Sequence, residues 1–175
     1  MSHNRPLLMR LHLFSAALVL AALGCGGSPP SDRELVAEFR AHRAEYDTLL
    51  AMFRADSVLG RVGDGFTREA NFYSGGSPPA SPPVTAERLA TYRRLFQRLS
   101  LPDGVEGYDQ KRVIYFWRWG SGGGAGLGGQ GKGLVFSDSL PSDRPAAFGC
   151  AGPRDSCSRL RPIENGWFIL EERHN

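Results

Sequence analysis

The stretch KRVIYFWRWGSGGGAGLGGQGKGLVFS, residues 111–137, decides how this chain is built. Its opening, KRVIYFWRW, is crowded with β-branched and aromatic residues, the composition of a strand. GLVFS, residues 133–137, reads as a second strand. Between them, SGGGAGLGGQGKG comes close to two phosphate-binding motifs. G-x-G-x-x-G occurs at Gly124, Gly126 and Gly129, and Gly126, Gly131 and Lys132 satisfy G-x-x-x-x-G-K. Gly133 then stands where a Ser or Thr hydroxyl would bind magnesium. A working phosphate loop joins a strand to a helix, whose first amides hold the anion. Here a strand follows instead, so the segment reads as the connection of a long β-hairpin, its glycines serving backbone geometry. That reading excludes a nucleotide. What survives is Lys132 with Gly133 at the mouth of the second strand, where exposed amides beside an ammonium would accept an anion or a partner's carboxylate.

Downstream, GWFILEER (residues 166–173) reads as a third strand, and VEGY, from Val105, as a short edge. Upstream the periodicity is helical. Ser31 with Glu34 three residues on is the capping-box pattern. Leu35, Phe39, His42, Tyr46, Leu49 and Phe53 then alternate steps of four and three, which places them on one face of a helix ending near Asp56. Thr85 caps a second helix, whose buried side is Leu89, Tyr92, Leu95, Phe96 and Leu99, and LPDG stops it. The Pro- and Gly-rich FYSGGSPPASPPV between the helices excludes a regular element and reads as a surface flap or a segment packed across the core. Helices followed by strands predict an α+β fold, two N-terminal helices packed on one face of a small antiparallel β-sheet, in a single domain over residues 31–175.

Within the aromatic strand, Tyr115, Trp117 and Trp119 share one face, and Ile114 and Phe116 the other. The Trp face either packs in the core or, left open, makes a platform for a glycan or peptide, with peptidoglycan the obvious ligand in an envelope.

The N-terminus predicts that compartment. Arg5 and Arg10 precede the apolar run LHLFSAALVLAAL, too short to span a bilayer, and Gly24-Cys25 follow. This is the pattern of a lipoprotein signal over residues 1–24, with Cys25 acylated and residues 25–30 a lipidated tether. An ordinary signal peptide with Cys25 a chance thiol is the alternative. Gly26 after the cysteine points to an outer membrane facing the periplasm. The 21 basic and 18 acidic residues nearly balance once Arg5 and Arg10 leave with the signal, so charge gives no reason to expect nucleic acid. Cys150 and Cys157 then form the remaining pair. In an oxidising compartment they are expected to close a disulfide contributing about 2.5 kcal/mol; a metal or redox pair is the alternative.

Catalytic signals are sparse. His42 sits in the helical stripe, either packed there or serving as a general base with Glu45 or Tyr46 one turn away. His174 is beside the C-terminus. G-x-S-x-G is absent, and Asp103, Glu106 and Asp109 lack EF-hand spacing, so a solvated turn is the plainer reading than Ca²⁺. Arg88, Arg93, Arg94 and Arg98 read as a solvated basic face, or one for anionic headgroups. No catalytic set, metal or cofactor is expected.

The Lys-Gly strand and the terminal RPIENGWFILEE resemble a group of small bacterial lipoproteins with no assigned activity. The resemblance covers residues 126–137 and 161–172, and loosely the helix FRAHRAEYDTLLAMF. It implies an envelope address and this fold. The expectation is therefore a membrane-anchored binding or assembly module, with Lys132, Gly133, Trp119 and His42 as candidate contacts to an envelope protein or peptidoglycan. The alternative is a small envelope hydrolase with His42 as general base.

Overall fold

The computed structural model describes residues 28–69, 84–123, 127–140, 146–148 and 157–174. The capping box forms as expected: Ser31 N–H donates to Glu34 Oε2 at 2.7 Å, and Glu34 N–H to Ser31 Oγ at 3.3 Å. The helix it starts differs from expectation. It is two segments, α1 (Asp32–Ala41) and α2 (Arg43–Ala55), parted at His42 where φ is −120° and ψ 27°. His42 N–H still donates to Glu38 O at 3.0 Å and Tyr46 N–H to His42 O at 3.1 Å, so the chain bends without unravelling. The apolar stripe continues across the bend: Leu35, Phe39, Tyr46, Leu49 and Phe53 are all buried. Thr85 caps α3 (Ala86–Arg98), accepting from Arg88 N–H at 3.2 Å.

The strands are β1 (Leu59–Val62), β2 (Thr67–Glu69), β3 (Val105–Tyr108), β4 (Val113–Gly123), β5 (Leu127–Ser137), β6 (Ala146–Phe148), β7 (Cys157–Glu164) and β8 (Trp167–His174). They form one sheet in the order β2-β1-β3-β4-β5-β8-β7-β6, every pair antiparallel. The α+β architecture is thus the expected one, with more strands. VEGY is no edge, because β1 and β4 flank it. The Gly-rich segment is not a loose hairpin connection either. Gly122, Gly123, Gly129, Gly131 and Gly133 lie in the ladder of β4 and β5, paired from Trp117↔Gly133 to Gly123↔Leu127, while Gly124 and Gly126 lie outside the described residues. The Pro-rich residues 72–83 lie outside the described residues.

One row of partners crosses the sheet under the helices, Val62–Val105–Phe116–Leu134–Ile169, and all five side chains are at most 4% exposed. Beside it Trp167 fills the centre of the core, with ring centroids 5.0 Å from Phe39, 5.9 Å from Tyr46, 5.0 Å from Phe116 and 5.4 Å from Phe136. The opposite face carries its own cluster of Val135, Leu160, Phe168 and Leu170. Both faces of the central strands are therefore dry, which explains the near-continuous apolar run WFIL in β8.

Polar groups tie the helices down. Asp56, just past α2, accepts from Tyr92 Oη at 2.7 Å and Arg88 Nε at 2.8 Å, so Arg88 is no solvated charge. Lys111, in the turn before β4, donates its ammonium to the Phe53 and Asp56 carbonyls, capping the C-terminus of α2. Tyr46 donates to Glu38 at 3.5 Å.

Burial raises the phenols of Tyr46, Tyr92 and Tyr115, the last to about 12, with the Glu172 and Glu106 carboxylates adding to the effect at Tyr115. The folded chain then holds protons that the unfolded chain releases near its phenol value of about 10. For these three groups stability is level below that pH and falls as pH rises above it. Followed by phenolate absorbance, the folded chain should release these three protons at higher pH than the chain unfolded in denaturant. Coincident titration of the two states would contradict the burial of these hydroxyls.

Candidate functional site

Lys132 lies on the helix-side face of β5, two residues before Leu134. Its side chain is only 12% exposed, and its ammonium is 2.9 Å from Asp32 Oδ1 in the first turn of α1. Arg161 of β7 reaches the same carboxylate at 2.7 Å and Glu171 at 3.2 Å. The ammonium of Lys132 thus clamps the start of α1 onto the sheet, and the residue also lines the cleft described below.

Gly133 has a steric task. A Cβ built there would sit 2.2 Å from the Phe116 carbonyl oxygen and 3.1 Å from Arg118 N, because β4 and β5 close tightly at a β-bulge between Trp117 and Trp119. The bulge changes the faces. Trp117 pairs with Gly133, while Trp119 pairs with Lys132, so the extra residue, Arg118, shifts the alternation. Trp119 therefore joins Lys132 on the helix-side face and does not share a face with Tyr115 and Trp117. Arg118 donates to Glu38 Oε2 of α1 at 3.0 Å and to Ser100 O at 3.1 Å.

Tyr115 and Trp117 stay on the second face, stacked at 5.6 Å and 13°, with Tyr108 edge-on to Tyr115 at 5.2 Å. The Trp117 ring lies over Gly131, where a Cβ would approach it to 2.7 Å. Both rings are half-buried against the second cluster, so they are packing residues at its margin.

Beyond the start of α1 the sheet runs on uncovered by helix, and there it forms the floor of a cleft of about 220 Å³. Two rows of strand partners make this floor. Trp119, Lys132, Glu171 and Arg159 cross from β4 to β7, and Gln130, Arg173 and Cys157 form the next row. Pro29 of the N-terminal segment lines one wall. A second, more open cleft shares Pro29 and Trp119 and adds Glu34, Glu38 and Arg118. Trp119 is thus the partition between two depressions at the end of the domain where the N-terminal segment enters.

The other expected residues fall elsewhere. His42, at the α1–α2 bend, is one-third exposed, and its Nδ1 is 3.7 Å from Glu45 Oε1. Glu45 is also held by Arg98 at 2.9 Å. This is an exposed polar corner on the helices, and none of the residues lining the two Trp119 clefts belongs to it. Glu106 is buried and paired with Arg61 at 3.6 Å, so it is no solvated turn residue; among the described residues no group of three His, Cys, Asp or Glu could hold a metal. Cys157 opens β7 at 8% exposure. Cys25 and Cys150 lie outside the described residues, as does the side chain of His174.

Sequence reading missed Arg159 because it missed β7, and it did not single out Glu171 and Arg173 although both lie in the expected third strand. CSRLRPIE gave little signal, since its apolar Cys157, Leu160 and Ile163 fall three apart instead of alternating and Pro162 reads against a strand.

Fold and cleft define an α+β protein whose eight-stranded antiparallel sheet carries its helices on one face and a charged, Trp-walled cleft at one end. No protein-family model matches the chain, and no curated protein and no solved structure matches it.

Proposed function

We propose that this protein is a lipid-anchored module of the bacterial cell envelope, held at the outer membrane facing the periplasm, that binds an envelope component through the cleft at its N-terminal end. In this reading it is non-enzymatic and belongs with the small lipoproteins that its Lys-Gly strand and terminal RPIENGWFILEE resemble. Cys25 carries the acyl chains, and Cys150 and Cys157 are joined by oxidation. The supporting observation is the placement of Trp119: it walls the cleft together with Pro29, a few residues from the proposed anchor. Trp combines a large apolar face with one donor, which suits a site that is part wet and part apolar. The hydrolase reading gains nothing from His42, whose neighbouring carboxylate is already committed to Arg98.

Two measurements test this. Intact mass of the protein from cells fed labelled fatty acid should show the acyl label, absent in Cys25→Ser, and each of the other two thiols missing its hydrogen. Crosslinking in cells should capture an envelope component that Trp119→Ala loses and His42→Ala keeps. An unlabelled wild type, or a capture indifferent to Trp119, would refute the respective claim.

A further inference from the structure

We infer that the cleft beneath Trp119 seats the phosphodiester headgroup of a phospholipid from the anchoring membrane. This rests on the lipid-anchor reading and names the ligand of the same site. The first support is reach. From Cys25 to Pro29 a fully extended chain covers at most about 14 Å. The headgroup layer on each side of a bilayer is roughly 5–8 Å thick. A domain tethered so briefly keeps the mouth of its Pro29 cleft within the headgroup layer or just above it, close enough to meet a phosphate.

The second support is the charge of the floor. The residues lining it carry Lys132, Arg159 and Arg173 against two carboxylates, Glu171 and Glu172. Asp32, which balances Lys132, is drawn on by Arg161 as well. Arg159 is exposed on β7, between Ser158 and Leu160, and its partner in register is Glu171. Two guanidiniums in adjacent rows suit a phosphate, which accepts from both.

The third support is size and shape. About 220 Å³ is smaller than the roughly 300–1,000 Å³ of clefts that enclose drug-sized ligands. A volume of this size suits a compact headgroup. Trp119 at the rim lies where an indole favours the boundary between headgroup and hydrocarbon.

The test uses the acylated full-length protein, purified and reconstituted in vesicles of phosphatidylethanolamine and phosphatidylglycerol. A fraction of the lipid carries a nitroxide on its headgroup, and tryptophan emission is the readout. Of the three tryptophans, Trp167 is fully buried and Trp117 packs on the opposite face of the sheet. Emission should fall as nitroxide lipid is added, and Trp119→Phe should abolish that fall. Arg159→Ala should need about fivefold more nitroxide lipid for the same quenching, the effect of one cation near an anionic surface. Unquenched emission in acyl-labelled protein overturns the headgroup site and leaves the anchor standing. Quenching unchanged in Trp119→Phe or in Arg159→Ala overturns it as well, since proximity alone would then explain the signal. Quenching relieved by inorganic phosphate in place of lipid assigns the site to the free ion and overturns the lipid source. Protein without acyl label overturns the anchor reading, and the reach argument goes with it.

Discussion

Trp167→Ala is expected to lower the unfolding free energy by about 4 kcal/mol, the range for emptying a large aromatic position in a core. Trp167 is fully buried, and its ring touches α1 through Phe39, α2 through Tyr46, β4 through Phe116 and β5 through Phe136. No single neighbour can move into the void without leaving another contact. A domain of this size has a total stability of roughly 5–15 kcal/mol, so the variant should populate the unfolded state visibly near body temperature. Trp167→Phe provides the control. The indole Nε1 is buried with no hydrogen-bond partner among the described residues. Phenylalanine leaves a smaller cavity and removes that unsatisfied donor, itself a penalty of about 1–3 kcal/mol. Chemical denaturation of the three proteins should rank wild type and Trp167→Phe close together, with Trp167→Ala far below. Equal losses for Phe and Ala would show that the ring edge bearing the N–H matters in some other way.

Gly133→Ala should be nearly as damaging, by about 3 kcal/mol, although it adds one methyl group. That methyl would stand 2.2 Å from a backbone oxygen of β4, and neither strand can yield. β5 is paired on its other side with β8, from Gly129↔His174 to Phe136↔Trp167. Relief requires opening the bulge, which would also move Arg118 away from Glu38. The same change at Gly65 meets nothing within 4 Å and should be nearly silent. Thermal unfolding of the two variants separates a local steric requirement from a general sensitivity to lost glycine. A Gly133→Ala protein as stable as Gly65→Ala would refute the close approach of the two strands.

The helices were legible because their signals are local. A capping box and a stripe at steps of three and four need nothing from the rest of the chain, and Ser31, Glu34, Leu35, Phe39, Tyr46 and Thr85 all behave as their spacing requires. The bend at His42 was not legible, since no Gly or Pro marks it. Strand β8 announced itself through WFIL, whereas β1, β2 and β6 are three or four residues long and borrow their stability from partners distant in sequence.

The Gly-rich segment misled for a physical reason. Glycine is a poor strand former alone, yet here it lies in a ladder where neighbouring backbone or a Trp ring occupies the space of its side chain. The bulge at Arg118 was equally silent, and it alone moved Trp119 to the other face. The candidate site followed suit: Lys132 and Trp119 could be singled out as residues, while their juxtaposition with Arg159 and Arg173 exists only in the register of four strands.

The Asp32 clamp has a mechanical meaning. Tension applied through the N-terminal segment enters the domain at Ser31 and Asp32, the first turn of α1. A helix pulled from its end would ordinarily unwind one hydrogen bond at a time, a weak and sequential failure. Here Lys132 and Arg161 grip Asp32 from two different strands. The load passes at once into β5 and β7, on either side of β8, and is shared by rows of hydrogen bonds. The carboxylate works as a cleat that fastens the first turn of α1 to two strands at once.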